Sequence, residues 1–325
     1  MKKRTLDVLY QSDDNYAMVS GISIASLLEN NKHLAEVNIH YCSYKISDKN
    51  KKRLMKLCDG YSNGSIGFID GDKYHQQLTE LNVKPWHGVY VTWLKLLAFG
   101  DLKLKSDRVL FINGHTIINS NLDELIDYDF GSNIMAMSYD CLTNEHKSQI
   151  GLDAEDGYFN CGIMLINHRK WMDENTTDQI KKHLSNKSDY VIADQDLCNV
   201  MFKGKIGLLG CEYNFSSAYY AYNIKRLLRV NDLQPGYFYS YEEIMTSYYA
   251  PKIIHSLFGI KGKPWEVGSE HPQRYLWNKY LEITPWRNTK RRHAKIGLVG
   301  FLYNILPSPI FMFLYGIDLR RKFGK

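Results

Sequence analysis

Short apolar segments that break off into polar turns and then into helices recur along this chain, and that alternation restricts the fold more than any other feature. Leu6–Ser12 alternates apolar and polar positions and stops at Asp13-Asp14-Asn15. Met18, Ile22, Ala25 and Leu28 then share one helical face, so the chain opens as a β-α-β unit. Val37–Cys42 and Ser65–Ile69 read as strands with a helix over Asp48–Cys58 between them. A helix over Val91–Leu102 leads into Arg108-Val-Leu-Phe-Ile112, an apolar run suited to a strand covered on both faces. Asn133–Ser138, Gly162–Ile166 and Lys252–His255 add strands, and Asp194–Phe202 adds a helix. The pattern predicts an α/β domain over residues 1–285, with a mostly parallel sheet and helices on both faces. Ligands of such sheets collect at the carboxyl ends of the strands, so polar residues just past each strand are the candidate site.

Charge excludes one class of partner. The formal net charge is +6, yet the segment from Trp286 to Lys325 alone carries nine Lys and Arg against Asp318. The first 285 residues are therefore slightly acidic, with no basic excess for nucleic acid to meet. Six cysteines lack a C-x-x-C pair, which argues against a zinc ribbon or a disulfide framework and suits a reducing compartment. The opening Met1-Lys-Lys-Arg is not followed by an apolar stretch of signal-peptide length, so no cleaved export signal is expected. Residues 286–325 form a second, membrane-associating unit: Ile296–Ile317 holds 22 residues without a charge, between basic clusters. Pro307-Ser308-Pro309 should break it into two short helices lying in the interface, with Phe301, Tyr303, Phe311, Phe313 and Tyr315 toward lipid and Lys and Arg on anionic headgroups.

Four segments stand out: Gln11-Ser-Asp-Asp-Asn-Tyr16 after the first strand; Asn113-Gly-His-Thr116 and then Asn119-Ser-Asn-Leu-Asp-Glu-Leu125 after Arg108–Ile112; Tyr158-Phe-Asn-Cys-Gly-Ile-Met-Leu-Ile-Asn167, which precedes Ala193-Asp-Gln-Asp196; and His255-Ser-Leu-Phe-Gly-Ile-Lys-Gly-Lys-Pro-Trp265. Each alone has an ordinary structural use, Asp-Asp-Asn as a helix cap and Asn-Gly as a turn. In this order and at these spacings, over about residues 5–265, they resemble glycosyltransferase family 8, which includes bacterial lipopolysaccharide galactosyl- and glucosyltransferases and glycogenin. The resemblance implies a nucleotide-sugar-binding, GT-A-like fold and retaining transfer of a hexose from a UDP-sugar to a glycan or lipid-linked acceptor, usually with Mn²⁺ or another divalent metal. It places Asp13, Asn15 and Tyr16 on the uracil and ribose, and Lys95, where the family usually has Arg, near the diphosphate. Asp140 would grip the donor sugar or the acceptor hydroxyl, and Asn160 and Gly162 would flank the sugar, with Gly162 admitting the hexose to the backbone. Asp194 and Gln195 would lie beneath the sugar, Gln195 near the anomeric carbon. Gly259 and Lys263 belong to a loop that closes on the phosphates, with Lys261 the alternative cation.

One departure matters. The family carries Asp-x-Asp directly after the strand that ends here at Ile112, and those carboxylates bind the metal together with a histidine matched by His255. This chain has Asn113-Gly114-His115 instead. Asn113, His115 and His255 would supply an amide oxygen and two imidazoles, donors better suited to Zn²⁺, Co²⁺ or Ni²⁺ than to Mn²⁺. Three explanations stand open: transfer with an altered metal, transfer without metal, or a non-catalytic nucleotide-sugar- or glycan-binding subunit that supports another transferase. The expected setting is cytoplasmic and peripheral, at the inner face of the plasma membrane.

Overall fold

The computed structural model describes residues 4–323. Seven strands form one sheet: β1 (Thr5–Ser12), β2 (Glu36–Ser43), β3 (Gly64–Asp70), β4 (Arg108–Ile112), β6 (Met135–Tyr139), β7 (Phe159–Asn167) and β8 (Ile206–Leu208), in the order β3-β2-β1-β4-β7-β6-β8. The β1–β2, β2–β3, β1–β4 and β6–β8 pairs are parallel, and β7 runs antiparallel to both β4 and β6. A second sheet joins β5 (Thr116–Ile118), β10 (Ile253–His255) and β9 (Phe215–Ser216) in the order β5-β10-β9. The expected last strand therefore exists, but it pairs with the segment just past β4 rather than extending the main sheet.

Period-two alternation distributes the strand side chains between two cores. Leu6, Val8 and Tyr10 of β1 and Leu110 and Ile112 of β4 face a core shared with helices Ala17–Asn30 and Arg274–Glu282. Leu9, Val109 and Phe111 face the opposite core, with Leu94–Ala98 and Ala193–Met201. Helices cover both faces and leave the carboxyl ends of β1, β4 and β6 open. Because β7 runs the other way, its first residues lie beside the last of β4, with Ile112 opposite Ile163 and the Asn113 amide donating to the Gly162 carbonyl at 2.8 Å.

The segment after residue 285 packs onto this body. Trp286 is buried in the first core, against Gly21. Leu298–Ile305 and Ser308–Phe323 are helices separated at Leu306 and Pro307, where the prolines were expected to break them. Phe301 and Phe313 point outward, as anticipated. Phe311 does not face outward; it is buried beside Met312, and Tyr303 and Tyr315 pack with it against Tyr222. A third apolar cluster contributed by residues 211–244 claims those rings, and a charge-free segment could not reveal that partner.

Candidate functional site

At the open end lies a cavity of about 370 Å³. Gln11 and Asp13 enter from the end of β1, Asn113 and His115 from the end of β4, Asn160 and Gly162 from the start of β7, and Asp194 and Gln195 from a helix N-terminus. Asp13 caps the turn after β1 by accepting from the Tyr16 amide at 3.0 Å. Tyr16 stands at the rim, 41% exposed, edge-on to Trp265 and His115. A flap of Trp86, His87 and Val89 covers another side; Trp86 and Val89 exchange backbone hydrogen bonds across a turn with positive φ at His87 and Gly88.

Lys95 and Asp194 form an ion pair inside this wall, with Lys95 3% and Asp194 5% exposed. Lys95 Nζ also donates to the Thr92 carbonyl at 2.9 Å and lies over the Phe111 ring. Burial raises the Asp194 pKa above the ordinary carboxylate value, and Lys95 opposes that rise. The Lys95 backbone amide donates to Gln11 Oε1 at 2.8 Å, which ties this helix to the end of β1.

Gln195 is held from three sides. Its Nε2 donates to Asp140 Oδ2 at 2.9 Å and to the Tyr158 hydroxyl at 3.2 Å, and its Oε1 accepts from the Cys161 amide at 3.1 Å. Asn160 Nδ2 donates to the same Asp140 oxygen at 2.8 Å, and Asn160 Oδ1 accepts from Asn214 Nδ2 at 2.9 Å. Asn214 in turn accepts from His255 Nδ1 at 2.9 Å. That bond leaves His255 Nε2 as an acceptor, facing His115 Nε2 at 3.0 Å. His115 thus donates from Nε2, while its buried Nδ1 has no partner. Burial and then Lys263 push His115 down to about 3, and burial, the His115 ring and Lys263 push His255 well below its ordinary value, so the pair is neutral near pH 7.

The profile of glycosyl transferase family 8 matches residues 7–267. The chain belongs to glycosyl transferase family 8. This is a family of retaining hexosyltransferases. The chain is 27% identical over 305 residues to an Escherichia coli lipopolysaccharide 1,2-glucosyltransferase, covering 90% of this chain and 83% of that one. It is 22% identical over 290 residues to the Salmonella typhimurium lipopolysaccharide 1,3-galactosyltransferase, covering 86% and 79%. Its fold matches that of the galactosyltransferase LgtC, solved with donor and acceptor sugar analogues, at a TM-score of 0.71 and 21% identity, over 87% of this chain and 99% of that one. Family 8 placement thus establishes a GT-A-like α/β fold and a glycosyltransferase related to enzymes of surface-glycan synthesis.

Family 8 enzymes typically use a divalent metal, and the residues here do not fit a hard cation. Of the acids that line the cavity, Asp194 is committed to Lys95 and Asp13 to its own turn. His115 and His255 are neutral and bonded to each other, and among the described residues no cluster of three or more His, Cys, Asp or Glu could hold a metal. Mn²⁺ and Mg²⁺ prefer anionic oxygen ligands that offset their charge. Of the expected set, only Asn113 brings an oxygen, and it is uncharged.

The other expected family 8 residues divide into those the cavity gathers and those it does not. Asn15 is exposed and bonds Asp13 Oδ2 at 3.2 Å, outside the cavity lining. Gly259 and Lys263 also lie outside the lining; the Lys263 amine packs over Gly259 and affects both imidazoles electrostatically. Lys261 is turned away, 3.4 Å from Glu270 and over the Tyr303 ring. The reason for glycine at 162 differs from the expected one: an added Cβ would overlap His255 Cε1 and come 2.8 Å from Asn160 Oδ1, so the imidazole occupies the space assigned to sugar. Asp140 opens instead on a second cavity of about 300 Å³, walled by Tyr219, Tyr222 and Tyr315, which meets the first at Asn160 and Leu257. Gln11 and Tyr158 open two of the polar segments but had no role of their own there, and Asn214 and the Trp86 flap were not singled out in the sequence. Only Trp86-His87-Gly88 carried a local signal, two rings before a turn glycine.

Proposed function

We propose that this chain transfers a hexose from a UDP-sugar, with retention, to a hydroxyl of a glycan or lipid-linked acceptor in surface-polysaccharide synthesis. The observation that carries the reading is the meeting of two cavities at Asn160, with Asp140 and Gln195 bonded across the junction. Asp13 and Tyr16 bind the uridine at the rim, by hydrogen bonding and by an aromatic face. Lys263 approaches the diphosphate and offsets the negative charge that grows as the glycosidic bond breaks. The acceptor occupies the second cavity, where tyrosines supply platforms for sugar rings and Asp140 accepts from a donor-sugar or acceptor hydroxyl other than the attacking one. Of the two carboxylates flanking Gln195 in sequence, Asp194 is paired with Lys95, and Asp196 is fully buried and accepts from His146, Tyr158 and the Ile192 amide, so neither is free as a nucleophile. That supports a same-face substitution in which the departing phosphate collects the acceptor proton, with Gln195 supporting the oxocarbenium-like state.

The setting is peripheral at the inner membrane face. Among the described residues no helix is long and apolar enough to cross a membrane. The outward faces of the two terminal helices nevertheless expose Leu298, Phe301, Ile305, Ile310, Phe313 and Leu314, beside the basic run Arg291, Arg292 and Lys295. The transfer reading is tested by incubating the full chain with UDP-glucose or UDP-galactose and following UDP release, with chelator, Mn²⁺ and Zn²⁺ in separate arms. Release in any arm supports transfer. Calorimetric binding with no release in every arm points instead to a nucleotide-sugar-binding subunit.

A further inference from the structure

We propose that Tyr158 and Asp196 are positioning residues that set which way the Gln195 amide faces the donor, an inference that rests on the transferase reading of the cavity. The Gln195 amide has two possible orientations, and its neighbours allow only one. Asp140 Oδ2 is an acceptor and faces Nε2 at 2.9 Å, and the Cys161 amide is a donor and faces Oε1 at 3.1 Å. The third neighbour, the Tyr158 hydroxyl, could serve either role. Asp196 removes the choice. Its Oδ1 accepts the Tyr158 O–H at 2.6 Å, so toward Gln195 the phenol oxygen is left only as an acceptor, and it meets Nε2 at 3.2 Å. Flipping the amide would set Oε1 against two acceptor oxygens and Nε2 against a donor.

Asp196 is itself held in place by its remaining bonds. It is fully buried and also accepts from His146 Nε2 at 2.7 Å, and its Oδ2 accepts from the Ile192 amide at 2.7 Å. The Ile192 bond clamps the turn in which Ala193 sits at φ 41°, a left-handed conformation that is strained for a residue with a Cβ. That turn opens the helix carrying Asp194 and Gln195. The two residues therefore act together: Asp196 holds the turn and orients the phenol, and Tyr158 orients the amide. With Nε2 committed twice, the second lone pair of Oε1 is what Gln195 presents to a ligand, an acceptor suited to positive charge developing at the anomeric carbon.

The test compares wild type, Tyr158→Phe and Asp196→Asn, each checked by thermal melting. Calorimetry measures affinity for UDP and for the UDP-hexose the wild type prefers, and steady-state kinetics measure kcat and KM. The expected result for Tyr158→Phe is unchanged UDP affinity, a kcat roughly 3- to 10-fold lower, and little change in donor KM, the fold-change that one lost hydrogen bond implies. Asp196→Asn, whose amide can donate to the phenol and reverse it, should lower kcat further. Normal kcat in Tyr158→Phe would overturn the inference and leave the transfer reading standing. Should the wild type turn over no donor, the transfer reading fails by itself, and the ratio of UDP-hexose to UDP affinity decides the inference: a ratio reduced in Tyr158→Phe supports it, an unchanged ratio overturns it. If Tyr158→Phe does not fold, the same readouts on Asp196→Asn decide.

Discussion

Replacing Lys95 with methionine would leave Asp194 ionised and alone inside the protein, and the size of the effect follows from burial. Both residues are at least 95% covered, so the charge left behind has no water to turn to. Removing one partner of a buried pair typically costs about 3–5 kcal/mol. For a chain of this length, with an unfolding entropy near ~2.1 cal/mol/K per residue, that lowers Tm by roughly 4–7 °C. The pH dependence distinguishes this cause from lost packing. Asp194 already has a folded pKa above its ordinary value of 3.8, so the folded state binds more protons than the unfolded state just above that pH, and stability falls as pH rises through that window. Without Lys95, the influence opposing the rise disappears. The window then extends upward, so the Lys95→Met deficit should be largest near pH 7 and shrink toward pH 4. Adding Asp194→Asn should recover most of the loss by removing the charge. Melting curves between pH 4 and 8 for the single and double variants are the assay. A deficit that does not vary with pH, or that Asp194→Asn fails to relieve, would refute the claim that an uncompensated carboxylate causes it.

Gly162→Ala should destabilise by roughly 1–3 kcal/mol, because His255 is pinned by Asn214 and His115 and cannot make room for a methyl; chemical denaturation reads this, and a neutral result would mean the imidazole is free to move. Asn113→Asp combined with His115→Asp should raise Mn²⁺ affinity at least tenfold, followed by the loss of free-ion signal in electron paramagnetic resonance, whereas unchanged affinity would remove these positions from the diphosphate. Phe301→Asp with Phe313→Asp, at side chains 56% and 63% exposed, should cut sedimentation with anionic vesicles severalfold at unchanged stability; persistent sedimentation would exclude this face as the membrane contact.

The strands of the main sheet other than Ile206–Leu208 were legible in the residues, whereas helices such as Asp72–Glu80, Thr176–Leu184, Tyr241–Tyr249 and Arg274–Glu282 were not. Arg108–Ile112 is a strand with the boundaries its apolar run suggests, because a strand buried on both faces needs every position apolar. The helices over 94–98 and 193–201 and the break at Pro307 are equally local, set by periodicity and by proline's missing amide. Asp13 and Asn113 follow the carboxyl ends of β1 and β4, where ligands of such sheets collect, and Asn160 joins them from the start of antiparallel β7, so all three line one cavity. The short strands Thr116–Ile118, Ile206–Leu208 and Phe215–Ser216 escaped notice, each being too brief to show a period.

Periodicity and residue identity alone set the two-faced sheet, the polar residues past its strands, and the absence of carboxylates at Asn113 and His115. What those side chains meet depends on packing. Lys95 meets Asp194 across 99 residues, and His115 meets His255 across 140, so neither pairing leaves a mark in local spacing. The same holds for Tyr303, Phe311 and Tyr315, whose apolar rings look alike whether they face lipid or the cluster around Tyr222. Periodicity reports which face of an element is apolar; what covers that face depends on segments brought together from far along the chain, and that is a property of the packed whole.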